Sequence, residues 1–457
     1  MLSTKKGQCL EAGEAAQEEQ RRLRIKPKTL IISALLMIAS FALLHRPISH
    51  CYHRVSHHAH KSRSADERAR AILSKTPLID GHVDLAVLIR VMYKNQIDND
   101  DWKHKFANGP FPGDLDIKRL REGLSGGAFW SVYSPCPQNG TDLSDENEWR
   151  AVQFTYDQID LTNRIHDLFP DDFSPSQGIT VDTALSAFLQ GKLISPIGVE
   201  GLHQIGNKVS NLRRFHAMGA RYITLSHNCH NKFADAALEE NPMRKATPLH
   251  NGVSLEGRKL IREMNRVGLI VDLSHTSEQT MVDVLGGGEG WVGSKAPVMF
   301  SHSSAFGICP HPRNVPDHVL KLVKARNSVV LVNIAPDFIA CRDVGAENGL
   351  PITVPEESDL GRVVDHIMYI GDLIGYKHVG IGTDLDGIPS RPAGFEDVTK
   401  YPDLVAELLR RGVSETDVVK IVGDNILRVW RDVEEVAADM QAAGEPALED
   451  PDGYEHY

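Results

Sequence analysis

From about Ala65 onward the chain alternates short apolar runs with longer stretches in which apolar residues recur every three or four positions. A continuous apolar run of a few residues suits a strand buried on both faces, and the periodic stretches suit helices lying over such strands. Eight runs have this strand character, at 78–80, 128–133, 193–200, 222–227, 269–275, 298–302, 329–333 and 379–384. The stretches between them carry helix punctuation: 254–267 ends at Gly268, 316–325 opens with Pro316, 360–374 precedes Gly375, and Ser414 followed by Asp417 marks a helix start. Eight strands separated by helices predict an α/β fold, a (β/α)8 TIM-like barrel, over residues 65–440. A doubly wound open sheet is the alternative.

One apolar stretch lies apart from this alternation. Residues 29–44 are sixteen uncharged positions, preceded by Arg21, Arg22, Arg24, Lys26 and Lys28 and followed by His45 and Arg46. That is slightly under the roughly 17–25 residues of a spanning helix, with Pro27 and His45 available for the interfaces. Positive charge on the N-terminal side predicts a single-pass signal-anchor, with 1–28 a cytosolic basic tail and the catalytic domain lumenal or extracellular. A cleaved signal peptide and a secreted protein form the alternative, against which stands the long charged leader. Residues 45–64, rich in His, Ser and Arg, read as a stalk, and 441–457 as a polar acidic tail without a lipid-anchor signal.

Composition narrows the class of partner. With 41% hydrophobic and 24% charged residues the 457-residue chain is ordinary globular material rather than disordered. The net charge is −11, yet the first 63 residues hold 11 Lys and Arg against 4 Asp and Glu, which leaves the remainder at −18. A body that acidic excludes nucleic acid as the expected partner. Four of the six cysteines, Cys136, Cys229, Cys309 and Cys341, fall in the body, and four allow three pairings. Asn139-Gly140-Thr141 is an acceptor sequon for glycosylation, in keeping with an exported domain.

The polar residues that end the apolar runs carry the candidate chemistry. In a barrel of this type the active site forms at the C-terminal strand ends. Those ends hold His82 and Asp84, then Glu200, His227, His275, His302 and Asp384. His82 and Asp84 stand two positions apart, so on a strand they point the same way and can grip one cation. A lone buried histidine more often satisfies a backbone group, but His, Glu and Asp at six of eight strand ends make a set.

Seven ordered motifs carry a resemblance that covers about 72–433: Asp80-Gly-His-Val-Asp84, Gly198-Val-Glu-Gly201, Thr224-Leu-Ser-His227, Asp272-Leu-Ser-His275, Phe300-Ser-His-Ser-Ser304, Arg313-Asn-Val-Pro-Asp317 and Gly382-Thr-Asp-Leu-Asp-Gly387. Together they resemble the membrane (renal-type) dipeptidase family, metal-dependent members of the amidohydrolase-like barrels, in a fungal-type form. The resemblance implies a binuclear zinc site with His82 and Asp84 on the first ion, His275 and His302 on the second, and Glu200 bridging both. Imidazole and carboxylate ligands suit zinc but accept Mn, Co or Fe as well. The resemblance also implies the disulfides Cys136–Cys229 and Cys309–Cys341. The cysteine that links subunits in some relatives is missing, so any homodimer is expected to be non-covalent.

The implied reaction is hydrolysis of a dipeptide with a free C-terminal carboxylate, by a water bridged between two metal ions. His227 is then the substrate-binding donor to the developing oxyanion, and Asp384 the shuttle that carries a proton to the leaving amine. Arg313 would clamp the substrate carboxylate in two parallel hydrogen bonds. Asp386, two residues beyond Asp384, is the weaker candidate for the shuttle and fits a turn before Gly387. A related hydrolase specialised for Cys-Gly conjugates and a catalytically idle, membrane-anchored binding protein are the alternative functions. The second predicts a lost ligand, and none is lost.

Overall fold

A computed structural model of the chain describes residues 63–450. The basic tail, the expected anchor at 29–44, nearly all of the stalk and residues 451–457 lie outside the described residues. Among the described residues no helix is long and apolar enough to cross a membrane.

Twelve strands follow in chain order: β1 (Leu78–Val83), β2 (Ser125–Val132), β3 (Ile197–Val199), β4 (Ala220–Thr224), β5 (Leu238–Glu240), β6 (Met243–Lys245), β7 (Ile270–Asp272), β8 (Met299–Phe300), β9 (Val329–Val332), β10 (Cys341–Arg342), β11 (Ile352–Thr353) and β12 (Val379–Ile381). Eight of them form one parallel sheet in the order β1-β2-β3-β4-β7-β8-β9-β12. The sheet curls until its edges meet: Asp384 N–H donates to His82 O at 3.0 Å and Asp84 N–H to Leu385 O at 2.9 Å. The barrel was the expectation, and the eight strands are the eight predicted runs. The β5–β6 and β10–β11 hairpins are additions on the loops after β4 and β9.

A side chain on the first strand makes that closure specific. The buried Asp80 carboxylate accepts from Thr383 N–H at 2.8 Å, the Thr383 hydroxyl at 2.6 Å and the Tyr401 hydroxyl at 2.7 Å. Asp272 does the same half-way round, accepting from Ser301 N–H at 2.7 Å, the Ser301 hydroxyl at 2.7 Å and the Thr224 hydroxyl at 2.6 Å. Each staple stands two or three residues before a histidine of the mouth, so it sets where that histidine leaves the sheet.

Helices cap as their sequences require. The Ser254 hydroxyl accepts from Gly257 N–H at the start of Leu255–Val267, and Gly268 ends that helix at φ 88°, where only glycine sits without strain. Asp359 caps Leu360–Ile374 through Arg362 N–H. The last helix, Asn425–Ala442, packs Ile426, Val429 and Trp430 into one apolar cluster with Ile79, Phe129, Ile270 and Leu331. From Trp430 the interior runs through Phe129, 5.6 Å away between ring centres, to Tyr222 at 5.5 Å and on to the mouth.

The first half of the expected polar tail is part of the body. Asp450 accepts from the N–H groups of Val209 at 2.5 Å and Ser210 at 3.0 Å, a carboxylate on a helix N-terminus. Leu448 N–H donates to Glu263 at 3.0 Å, and Glu445 pairs with Arg262 and Lys295. Its charges find partners on the helices Val209–Ala217 and Leu255–Val267 and on Lys295.

Candidate active site

Polar strand ends meet at the mouth of the barrel. The hydrogen-bonded part of β7 stops at Asp272 and that of β8 at Phe300, so His275 and His302 stand beyond the ladder, later than the predicted strands implied. There the backbone bends sharply: His275 and Asp384 both have φ 65°, a left-handed conformation rare for residues with a side chain. Such strain persists only where neighbours over-determine it. Gly81 is needed between Asp80 and His82, because a Cβ there would run into Leu331 and Ser301 O.

Glu200 Oε1 is the centre of the cluster. It lies 3.0 Å from His275 Nε2, 3.4 Å from both His82 Nε2 and His302 Nε2, and 3.9 Å from His227 Nε2. His82 Nε2 also lies 3.1 Å from Asp84 Oδ2 and 3.9 Å from Asp384 Oδ1. The five ligands implied by resemblance therefore come together, with His227 and Asp384 at the edge of the same cup. All seven are buried, none more than 8% exposed.

The other nitrogen of each ring is held from behind. His82 Nδ1 meets the Tyr222 hydroxyl at 2.6 Å, His275 Nδ1 meets Asn228 Oδ1 at 2.9 Å, and His302 Nδ1 meets Ser301 Oγ at 2.8 Å. Asn228 Oδ1 can only accept, and the Ser301 hydroxyl already donates to Asp272, so His275 and His302 donate from Nδ1 and leave Nε2 bare. Those two bare nitrogens face each other at 2.9 Å. Facing lone pairs repel unless a cation lies between them and the carboxylates around them. Asp84 Oδ1, buried and without a hydrogen bond, is a further unfilled acceptor. This donor set fits divalent cations held by His82, Asp84, Glu200, His275 and His302.

Electrostatics agree with the donor chemistry. Burial would lower His82, but the Asp84 and Glu200 carboxylates outweigh it and push it up to about 10. Burial raises Glu200 well above the usual carboxylate range and Asp384 to about 7. Burial, then Arg313 and the neighbouring imidazoles, hold His275 and His302 well below the ordinary value. Three carboxylates out of water demand positive charge in the cup.

Arg313 is 3% exposed, and its Nε and Nη2 are buried without a hydrogen-bond partner. A guanidinium out of water with free donors is costly unless an anion arrives to use them. Its carbon lies 4.9 Å above the Phe338 ring, and the loop that carries it is pinned by Asn314 Nδ2 donating to Cys309 O at 2.9 Å and Phe338 O at 2.8 Å. The Cys309–Cys341 bond ties the same loop to β10, and Cys136–Cys229 ties the loop after β2 to the one after β4. Both are the pairings expected. Asn139 is exposed on the loop after β2.

Asp384 and Asp386 are separated by their partners. Asp384 Oδ2 accepts from Asn333 Nδ2 at 3.0 Å, which leaves Oδ1 facing the cup. Asp386 instead exchanges hydrogen bonds with Asp114: Asp114 N–H donates to Asp386 Oδ1 at 2.7 Å and Asp386 N–H to Asp114 Oδ2 at 2.8 Å. It is a loop clasp. Gly387, the next residue, comes so close that a Cβ would overlap the Asp84 carboxylate.

Tyr222, Asn228, Ser301 and Asn333 are missing from the sequence-level set, as is Glu240, whose Oε1 lies 3.2 Å from His227 Nδ1. Ser301 and Asn228 directly neighbour motif histidines and could have been noticed; Tyr222 and Glu240 carry no local signal. A cavity of about 430 Å³ opens over the cup, with Arg313, Phe338 and Ala335 on one side and Tyr133, Glu240 and Val87 among its other walls.

Comparison with known proteins follows the same lines. The profile of the family described as membrane dipeptidase (peptidase family M19) matches residues 66–444. The dipeptidase aclJ of Aspergillus oryzae is 42% identical over 370 residues, which cover 81% of each chain. An uncharacterized dipeptidase of Schizosaccharomyces pombe is 40% identical over 449 residues, 96% of this chain and 97% of its own. Among solved structures, dipeptidase AC, a metallopeptidase of family M19, superposes with a TM-score of 0.65 at 25% identity, covering 78% of this chain and 98% of the other.

Proposed function

The chain belongs to the membrane dipeptidase family, peptidase family M19, and is a dipeptidase; from that premise we propose that its mouth holds two zinc ions and cleaves dipeptides with a free C-terminal carboxylate. His82 and Asp84 would hold one ion, His275 and His302 the other, with Glu200 shared. Bound there, the ions supply a Lewis acid for the scissile carbonyl and lower the pKa of the attacking water.

The remaining work falls to the chain itself. Arg313 receives the substrate carboxylate on Nε and Nη2, the two donors it leaves unsatisfied, and so limits the substrate to a short peptide. His227 lies beside Glu200 and donates to the carbonyl oxygen as negative charge develops on it. Asp384 presents Oδ1 to the cup, takes the proton released by the water and passes it to the leaving amine. Val87 and Ile388 line the same cavity and limit the water around these charges.

The observation that carries this reading is the meeting of bare Nε2 lone pairs and carboxylates at one buried point, with a guanidinium lacking partners beside it. Placement of the barrel on the exported side of a membrane, anchored through 29–44, belongs to the same proposal; two disulfides in the described residues support an oxidising compartment. Metal analysis of the purified protein, with turnover of Ala-Gly before and after chelation, tests the centre. Two ions per chain and activity lost on chelation and regained with zinc are expected. Fully active enzyme with fewer than two ions per chain overturns the binuclear reading.

A further inference from the structure

The loop after β4 does more than supply His227. Its hairpin, β5 and β6, projects Glu240 into the active-site cavity and at the same time walls a second cavity of about 600 Å³. Asn228 and Glu240 line both, so they form a sill between the cup and this side chamber. The Cys136–Cys229 disulfide makes part of the chamber wall.

The side of the cup on which the chamber lies decides what can reach it. Arg313 and Phe338 occupy one wall, where the substrate carboxylate is expected. Glu240 and Tyr133 belong to another: Tyr133 packs edge-on against His227 at 5.0 Å between ring centres, and Glu240 contacts the Nδ1 edge of the same imidazole. With the substrate carboxylate on Arg313, the wall of Glu240 and Tyr133 is left for the amino-terminal residue, and the sill borders that wall.

The chamber is built for hydrogen bonding and leans acidic. Glu239 Oε2 takes two hydrogen bonds from Arg244, at 2.9 and 2.6 Å, and its Oε1 accepts from Thr247 N–H at 3.1 Å. His230 Nδ1 lies 3.2 Å from both Ala236 N and Asp235 Oδ1, while its Nε2 is buried without a hydrogen bond and 3.5 Å from Glu239, in the chamber wall. Arg244 answers one carboxylate, while Glu240 brings a second. A long polar side chain finds donors and acceptors here, and an anionic one meets repulsion.

We propose that this chamber is the subsite for the side chain of the substrate's amino-terminal residue, and that it selects long, polar, non-anionic side chains of the lysine and glutamine type. The inference rests on the dipeptidase reading and deepens it. Specificity constants for Lys-Gly, Gln-Gly, Ala-Gly and Glu-Gly test it in the metal-loaded enzyme. Lys-Gly and Gln-Gly are expected to exceed Ala-Gly by about tenfold, with Glu-Gly lowest.

Two variants fill the chamber from different walls. Gly140→Trp keeps the sequon, and a Cβ at this position meets nothing within 4 Å, so the fold accepts it. Leu249→Trp starts from a side chain that is already 50% exposed. Each is expected to lower the ratio of kcat/KM for Lys-Gly to that for Ala-Gly by about tenfold. Arg244→Gln unmasks Glu239 and is expected to raise Lys-Gly relative to Gln-Gly. A flat series in the unmodified enzyme, or Trp variants that depress Lys-Gly and Ala-Gly equally, overturns the chamber while leaving the dipeptidase reading intact. Failure to cleave any dipeptide overturns that reading and the chamber with it.

Discussion

His82 at the barrel mouth and His366 in the helical layer outside the barrel are both completely buried, yet they do opposite jobs. His366 spends both nitrogens on the backbone, accepting from Ala305 N–H at 3.0 Å and donating to Ile339 O at 2.9 Å. Burial pushes it down to about 4 and no carboxylate offsets that enough to matter. His166, behind the barrel, is similar: Nδ1 meets Ser176 Oγ at 2.9 Å, and burial lowers it to about 3. His82 has one nitrogen on Tyr222 and aims the other at Asp84 and Glu200.

The difference teaches that neither burial nor a low pKa marks a functional histidine. His275 and His302 are held low as well, and they belong to the mouth. What separates the two regions is the destination of the second nitrogen. At His366 it ends on a backbone carbonyl, and the residue is a structural clamp. At the mouth it ends on Glu200, with a lone pair left for a cation.

Glu200→Gln attacks the comparison at its centre. Four histidine nitrogens lie within 3.9 Å of Glu200 Oε1, so bound metal is expected to drop below one ion per chain and kcat/KM to fall well over a hundredfold. Metal analysis with steady-state kinetics checks it, and activity within tenfold of the unmodified enzyme would mean the carboxylate is not the shared ligand. Next in size is Tyr222→Phe, which removes only the hydroxyl behind His82. A loss of about 10–100-fold in metal affinity or activity is expected.

His366→Leu should do the reverse. It strands the Ala305 N–H and the Ile339 carbonyl, at a cost of about 1–3 kcal/mol in stability, while metal content stays at the unmodified level. Denaturant titration gives the first quantity and metal analysis the second; a lost ion with unchanged stability would erase the distinction between the two regions. The smallest effect is a slope. Because folded His366 protonates only near 4 and the unfolded chain near 6.5, acidification below 6.5 favours the unfolded state, and this loss stops below about 4. Each pH unit in that window costs about 1.4 kcal/mol for this one group. His366→Leu lacks that titration, so its stability is expected to fall less steeply from pH 6.5 to 5.5.

Much of the site was legible because barrel topology turns strand ends into a common mouth. His82, Asp84, Glu200, His275, His302 and Asp384 all close predicted runs, and the same regular alternation places them at one end of the sheet. Asp384 and Asp386 could be ranked but not assigned, since both sit in one short turn and only Asn333 and Asp114 tell them apart. The staples Asp80 and Asp272 were quoted within motifs without a role, because their partners lie on other elements far along the chain.

Local order in the chain thus determined the eight strands, their helices and which residue types face the mouth, since apolar periodicity, caps and glycines act over a few residues. Tertiary structure alone decided which nitrogen each histidine offers. Tyr222 lies 140 residues from His82 and Ser301 29 residues from Asp272, and such contacts exist only once the barrel has closed in register. The same holds for Glu240, which a hairpin after β4 carries to His227. Hydrogen bonding is a matter of ångströms, and separation along the chain carries no information at that scale.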